Sequence, residues 1–211
     1  MAKLRAYVYV DGFNLYYRAL KAARCNWLNL STLARALLPA YDVLRIKYYT
    51  AKIQPNPHDP DQQVRQQIYL RALATLPDLE VFFGSFLTKD KTFPDSICWS
   101  HGVFRPVLVV KTEEKGSDVN LASHMIRDGF RDEYDIAALI SNDTDLEEPV
   151  RIVSEELRKG VALLHPTKHP SGKLGQYATT SRRIRSGALR ASLFPDALTD
   201  SIGTFHKPPS W

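Results

Sequence analysis

The chain reads as an α/β protein, a three-layer α/β/α sandwich around a mainly parallel sheet. Apolar, β-branched runs recur along it and helical segments alternate with them. Several of the runs are apolar at every position, as strands covered on both faces must be. The first is LRAYVYV (4–10), ending at the turn Asp11-Gly12. Leu15, Tyr16, Ala19 and Ala22-Ala23 then fall at helical spacing over 14–24. Ser31 is placed to cap a short helix ending before Pro39. VLRIKYYTAKI (43–53) is a second strand, and PNPHDP (55–60) a loop. Asp59 is placed to cap a long helix running to about Leu76, with Pro60 in its first turn. LEVFFGSFL (79–87) is a third strand. Residues 88–103 mix turn formers with Phe93 and Trp99 and read as a loop or hairpin excursion, after which FRPVLVVKT (104–112) returns as a strand. A helix opens near Ser117, IAALISN (136–142) is an apolar strand, residues 144–160 form a helix, and VALLHP (161–166) is a short strand. The expected division is a main domain over 1–170 and a basic extension over 171–211, helical around 176–191 and packed on or beside it.

The 211 residues are 44% apolar and 24% charged, an ordinary balance for a globular domain with a sizeable core. No stretch approaches the roughly 20 apolar residues of a membrane span. The N-terminal run is about seven apolar residues long before Asp11 interrupts it, which makes it a strand rather than a signal peptide. Cys25 and Cys98 form no CxxC pair; they read as reduced thiols of a cytoplasmic protein, with no structural zinc. The net charge of +5 is localised: residues 166–211 hold 7 Lys+Arg against 2 Asp+Glu, and the rest of the chain balances. Such a segment can grip phosphates, and is equally consistent with a solvated basic face.

Three carboxylates stand where strands end. Asp11 follows the first strand, Asp143 follows strand 136–142, and Asp118 opens the helix after strand 104–112. In a parallel sheet these places share the C-terminal edge, where ligands bind at the point of strand-order reversal. Crowded carboxylates resist ionising together, and a hard cation such as Mg²⁺ or Mn²⁺ resolves the conflict. Such an ion supports phosphodiester hydrolysis. Each residue also suits a plainer role: Asp118 and Asp143 as helix caps, Thr144 with Glu147 as a capping box, Asp145 as a first-turn acid, and Asp11-Gly12 as a turn. The sequence has no GxGxxG after a strand, no GxxxxGK[ST], no GxSxG and no HExxH.

Three blocks, V-Y-V-D-G-F-N-L-Y (8–16), E-E-K-G-S-D-V-N-L-A (113–122) and A-L-I-S-N-D-T-D-L-E-E-P-V (138–150), together resemble the NYN domain, a branch of the PIN-like nuclease superfamily. The resemblance implies a five-stranded sheet of order 3-2-1-4-5 and metal-dependent RNA cleavage. It assigns metal-binding roles to Asp11, Asp118 and Asp143, with Asp145 as an outer member. Asn14 would orient Asp11 or a metal-bound water, Ser141 would hydrogen-bond into the site, and Lys115 would meet a phosphate. Two positions depart from the family pattern: His124 stands where many members carry Asp, and Asn142 replaces the commoner Gly. As a ligand, His124 would favour Mn²⁺ and make activity fall below about pH 6.5; the alternative is a histidine packed on the helix flank. RNA is the expected partner, with Arg182, Arg183, Arg185 and Arg190 of the basic extension as candidate phosphate contacts. The oligomeric state is not specified. Three functions are consistent with the sequence: a metal-dependent ribonuclease, an RNA-binding or adaptor protein that kept the fold, and a small-molecule enzyme. For the last, family members sometimes carry oxygenation labels, but the sequence has no flavin, haem or facial-triad pattern.

Overall fold

The computed structural model describes residues 3–211. Its centre is β1 (Leu4–Asp11), the first apolar run. Alternation along it serves two cores. Ala6, Val8 and Val10 pack toward Trp27, Leu33 and Ile46 on one side of the sheet. Tyr7 and Tyr9 pack toward Leu121, Met125 and Tyr134 on the other. The chain continues through α1 (Gly12–Leu15), a π-helical turn (Tyr16–Leu20) and α2 (Lys21–Ala23). α3 (Leu30–Leu37) buries Leu30, Leu33, Ala34 and Leu37. Asn29, not Ser31, caps it, accepting from the Thr32 amide at 2.9 Å. Ser31 instead donates to Asp78, whose carboxylate lies beyond the next helix.

β2 (Tyr41–Ala51) pairs parallel to β1, and α4 (Gln62–Leu73) leads to β3 (Leu79–Pro94). The Asp59 side chain does not cap α4; it pairs with Arg65 one turn inside. The excursion after residue 88 is a hairpin. β3 runs on to Pro94, a one-turn α5 (Ser96–Ser100) closes the tip, and β4 (Pro106–Lys115) returns antiparallel. α6 (Ser117–Phe130) then crosses to the other side of β1, where β5 (Ile136–Ile140) pairs parallel to it. β5 is buried at every residue, as its unbroken apolar run requires. A 3-10 turn (Thr144–Leu146), α7 (Glu147–Arg151) and a π-helical turn (Ile152–Glu156) lead to β6 (Gly160–His165).

The main sheet has seven strands, in the order β4-β3-β2-β1-β5-β6-β7, rather than five. The five parallel strands β3, β2, β1, β5 and β6 lie in the expected order once the hairpin strand is set aside. Segment 104–112, expected as a strand of the parallel sheet, is β4 and returns antiparallel to β3; Asp118 reaches the C-terminal edge because this return ends there, Lys115 pairing with Ser85 just past the last β2–β3 pair at Gly84. β7 (Thr180–Arg183) was not counted because its residues are polar, which an edge strand permits. The helix expected over 176–191 is not formed as one element. α8 (Gly172–Gly175), β7 and α9 (Ser186–Arg190) take its place, because Leu174, Ile184 and Leu189 are too widely spaced to make one helical stripe. The small hairpin of β8 (Ala197–Asp200) and β9 (Gly203–His206) follows. The tail closes the α3–α4 face. Trp27 donates to the Pro195 carbonyl and packs with its ring tilted against Phe194 and Trp211, while Arg71 forks onto Asp200 at 2.7 Å. Among the described residues no helix is long and apolar enough to cross a membrane, and both cysteines are free.

Candidate active site

The chain reverses direction across the sheet between β1 and β5. The C-terminal ends of these strands therefore border a crevice. It is an open cleft of about 490 Å³, lined by Asp11, Asn14, Asp118 and Asp143 together with Glu114, Arg18, Phe13, Tyr17, Phe86 and Ser117.

Asp11 is almost fully buried, and both its oxygens are held. Oδ1 accepts from the Asn14 amide at 2.9 Å, which also caps α1, and Oδ2 accepts from Ser141 Oγ at 2.9 Å. Burial pushes this carboxyl up, the two hydrogen bonds oppose that, and Asp143 and Glu114 push it up further. Ser141 Oγ also accepts from the Asp143 amide at 3.1 Å, so one hydroxyl ties the ends of β1 and β5 together. Asn14 adds a second tie, its Oδ1 accepting from the Asn142 amide at 3.2 Å. Gly12 is required where it is. A Cβ there would lie 2.7 Å from both the Tyr48 ring and the Tyr49 carbonyl.

Asp143 does cap its helical turn, accepting from the Asp145 amide, but it also faces the cleft. Asp118 sits in the first turn of α6 and caps nothing; Gly116 occupies the cap position. Its carboxyl is pushed up to about 6, by burial first and then by Asp11, Asp143, Glu114 and Asp145. Asp145 itself is exposed and does not line the cleft. Lys115 is exposed at the end of β4 and pairs with Glu113 at 3.4 Å.

His124 is not brought to the cleft. Its Nδ1 lies 3.0 Å from the Tyr49 hydroxyl and its ring meets Phe82 edge-on at 4.5 Å. Burial, then Arg127 and Lys47, lower its pKa. This is the packed-flank alternative, and the helix explains it: about 100° per residue carries position 124 away from the face that Asp118 presents. The basic residues also sit apart from the cleft lining. Arg182 donates to the Leu37 carbonyl at 2.7 Å, while Arg183, Arg185 and Arg190 are exposed and have no acid within pairing distance among the described residues.

Glu114 and Arg18 line the cleft without having been singled out. Glu114 is turned inward by Ser117, which donates to it from both its amide (3.1 Å) and its hydroxyl (2.7 Å). Arg18 follows Asn14 by four residues on the first helix, a spacing that places both on one face.

The donor set is all oxygen, the chemistry Mg²⁺ or Mn²⁺ takes, and the repulsion felt by Asp118 is what a cation would relieve. Among the described residues no three acidic, imidazole or thiol groups are close enough to hold an ion as they stand.

The raised pKa of Asp118 has a consequence for stability. An unfolded Asp titrates near 3.9, so between about pH 4 and 6 the folded chain holds a proton that the unfolded one has lost. The contribution of Asp118 is full below about pH 4 and is lost as pH rises through about 6. Asp118→Asn removes the repulsion. In EDTA at pH 7 it is expected to gain about 1 kcal/mol, after discounting for solvent screening of a half-buried group, or about 2–4 °C in Tm. The gain should vanish at pH 4, and Mn²⁺ should stabilise the wild type but not the variant. Thermal unfolding under these conditions decides; a lower Tm for the variant at pH 7 in EDTA contradicts the reading.

The mostly parallel sheet with acids gathered at its C-terminal edge is consistent with a PIN-like α/β protein. The model of the NYN domain matches residues 5–184, and the chain belongs to that family, a branch of the PIN-like nuclease superfamily. It is 29% identical to the Pseudomonas putida protein named 6-hydroxy-3-succinoylpyridine 3-monooxygenase HspA, over 99% of this chain and 75% of that one. Among solved structures, a protein of unknown function from Vibrio parahaemolyticus matches with a TM-score of 0.56 at 18% identity, covering 87% of this chain and 94% of that one; it shares the fold.

Proposed function

We propose that the protein is a metal-dependent ribonuclease that hydrolyses RNA phosphodiester bonds in the acidic cleft. The observation that carries this is the meeting of Asp11, Asp118 and Asp143, with Glu114 beside them, at the switch point of an NYN sheet. Asp11, Asp118 and Asp143 are the residues that would hold Mg²⁺ or Mn²⁺, and the bound ion would supply positive charge against the phosphate oxygens. The chain's own residues do the positioning. Ser141 and Asn14 fix the direction of the Asp11 carboxylate. Arg18 offers a cation on the cleft wall, and Phe13, Tyr17 and Phe86 offer faces on which bases can stack. The exposed Arg183 at the end of β7, with Arg185 and Arg190 after it, would be further phosphate contacts for a longer RNA. The test is cleavage of an end-labelled RNA with Mn²⁺, Mg²⁺ or EDTA. Metal-dependent cleavage is expected; undiminished cleavage in EDTA, or RNA binding without cleavage in any metal, overturns the proposal.

A second reading rests on a separate cavity. A pocket of about 130 Å³ beside the cleft shares Phe13 and Tyr17 with it and is walled by Tyr16, Tyr48, Tyr69 and Trp211. Asn26 also lines it, and its Oδ1 is buried with no hydrogen-bond partner. Such walls suit a small planar heterocycle, and the Pseudomonas relative is named for a pyridine. Saturable quenching of tyrosine and tryptophan fluorescence by hydroxypyridines, in a protein inert toward RNA, would favour this reading.

A further inference from the structure

Past the point where β3 leaves β2, the chain forms a two-stranded arm. β2 and β3 pair only as far as Ala51 and Gly84, whereas β3 and β4 pair from Ser85 and Lys115 out to Pro94 and Pro106. β4 ends the strand order, so its outer edge has no strand beside it among the described residues. The outer strand of the arm, β4, is apolar on both faces. Successive residues of a strand point to opposite faces, and Val107, Leu108, Val109 and Val110 are all exposed, Leu108 at 68% and Val110 at 72%. Ten of the nineteen exposed large apolar residues in the described chain fall within residues 85–115. A lone two-stranded hairpin is marginal in water, and a long flat apolar edge invites another strand. Monomers rarely expose apolar patches beyond a few hundred Å².

We propose that β4 pairs edge to edge with β4 of a second copy of this chain, forming a symmetric dimer whose sheet runs across the two-fold axis. Two-fold symmetry brings the same edge of each copy together antiparallel, which open backbone N–H and C=O groups satisfy directly. An axis at Val109 sets Leu108 against Val110 of the partner subunit. It also sets Arg105 against Glu113 of the partner subunit, a pair of opposite charges. Edge pairing also sets the exposed Val107, Leu108, Val109 and Val110 beside the same residues of the second copy on both faces of the joined sheet. A lipid surface would cover the side chains but leave the β4 backbone groups unsatisfied. The arm's root carries Phe86 and Glu114, both in the cleft wall, so the dimer steadies the site.

Sedimentation equilibrium of the full chain at micromolar concentration is expected to give twice the chain mass. Leu108→Lys with Val110→Lys should weaken association by about 100-fold while leaving circular dichroism unchanged. Should that variant fail to fold, Val109→Cys in a Cys98→Ser background keeps the arm intact, and mild oxidation should link it into a covalent dimer. A Lys89→Cys control, on the other strand of the arm, should stay monomeric on a non-reducing gel. A wild type that sediments as a monomer, an open-ended polymer, a monomer that floats with neutral lipid vesicles, or a Val109→Cys chain that does not cross-link would each overturn the proposal.

Discussion

Asp11→Asn and Asp143→Asn are each expected to lower Mn²⁺-dependent RNA cleavage by about 100-fold or more while the fold survives. Asparagine keeps the shape that accepts from the Asn14 amide and faces Ser141, so the ties between β1 and β5 persist. What is lost is the charge that would draw a cation into the open acidic cleft. The cost to stability should be small or negative, because burial and like charges already work against an ionised Asp11. Asp145→Asn, on an exposed turn outside the cleft lining, should cost only a few-fold. Initial rates on a labelled RNA, read beside thermal unfolding curves, separate the cases. Wild-type rates in both Asp11→Asn and Asp143→Asn would remove the proposed site.

The positions of Asp11 and Asp143 were legible because strand and helix periods are strong signals, and chain order alone puts those residues at one edge of a parallel sheet; Asp118 reaches the same edge by another route, because the strand before it returns antiparallel. The inward turn of Glu114 was not. Glu113 and Glu114 are neighbours on a strand and point to opposite sides, and nothing local says which of them meets the cleft. Gly84 on the adjacent strand makes the difference, since a Cβ there would sit 2.1 Å from Glu114 Oε1 and 2.6 Å from the Lys115 carbonyl. That is a contact across strands, invisible in the spacing of either segment. His124 failed for a related reason: family position suggested a ligand, but the helix turns it onto Tyr49 and Phe82, residues about 40 to 75 positions away in sequence. The tail was misread as helix because its partners, Trp27 and Arg71, lie far back in the chain and its own apolar residues are sparse. The length of the arm was hidden because Thr88, Lys89, Lys91 and Thr92 look like a solvated loop, yet pair residue by residue with β4.

Asp128→Ala should be the most destabilising single change outside the apolar core. Asp128 is fully buried near the end of α6 and accepts from Lys47 Nζ at 2.5 Å, Tyr9 OH at 2.8 Å and the Arg127 guanidinium at 2.8 and 3.1 Å. Burial by itself pushes its pKa up; the hydrogen bonds from Lys47, Arg127 and Tyr9 outweigh that and hold it below the usual carboxylate range. Removing the carboxylate leaves the Lys47 ammonium buried without its partner, which costs about 3–5 kcal/mol. For a chain of this size that lowers Tm by roughly 10 °C. Replacing both partners, Lys47→Met with Asp128→Leu, should recover much of the loss, because the penalty lies in the orphaned charge rather than in the missing pair. The pH dependence has a definite sign. A depressed carboxylate pKa contributes stability above the unfolded value near 3.9 and loses it as pH falls through the lower folded value. The gap between wild type and Asp128→Ala should therefore narrow below about pH 4. The same helix presents Asp118 at its other end, so a loosened anchor should also weaken Mn²⁺ binding in chains that remain folded. Thermal unfolding at pH 7 and at pH 3.5, with a Mn²⁺ titration of the folded variant, reads all three effects; a loss of less than about 1 kcal/mol at pH 7 would show that the Lys47–Asp128 pair does not anchor α6.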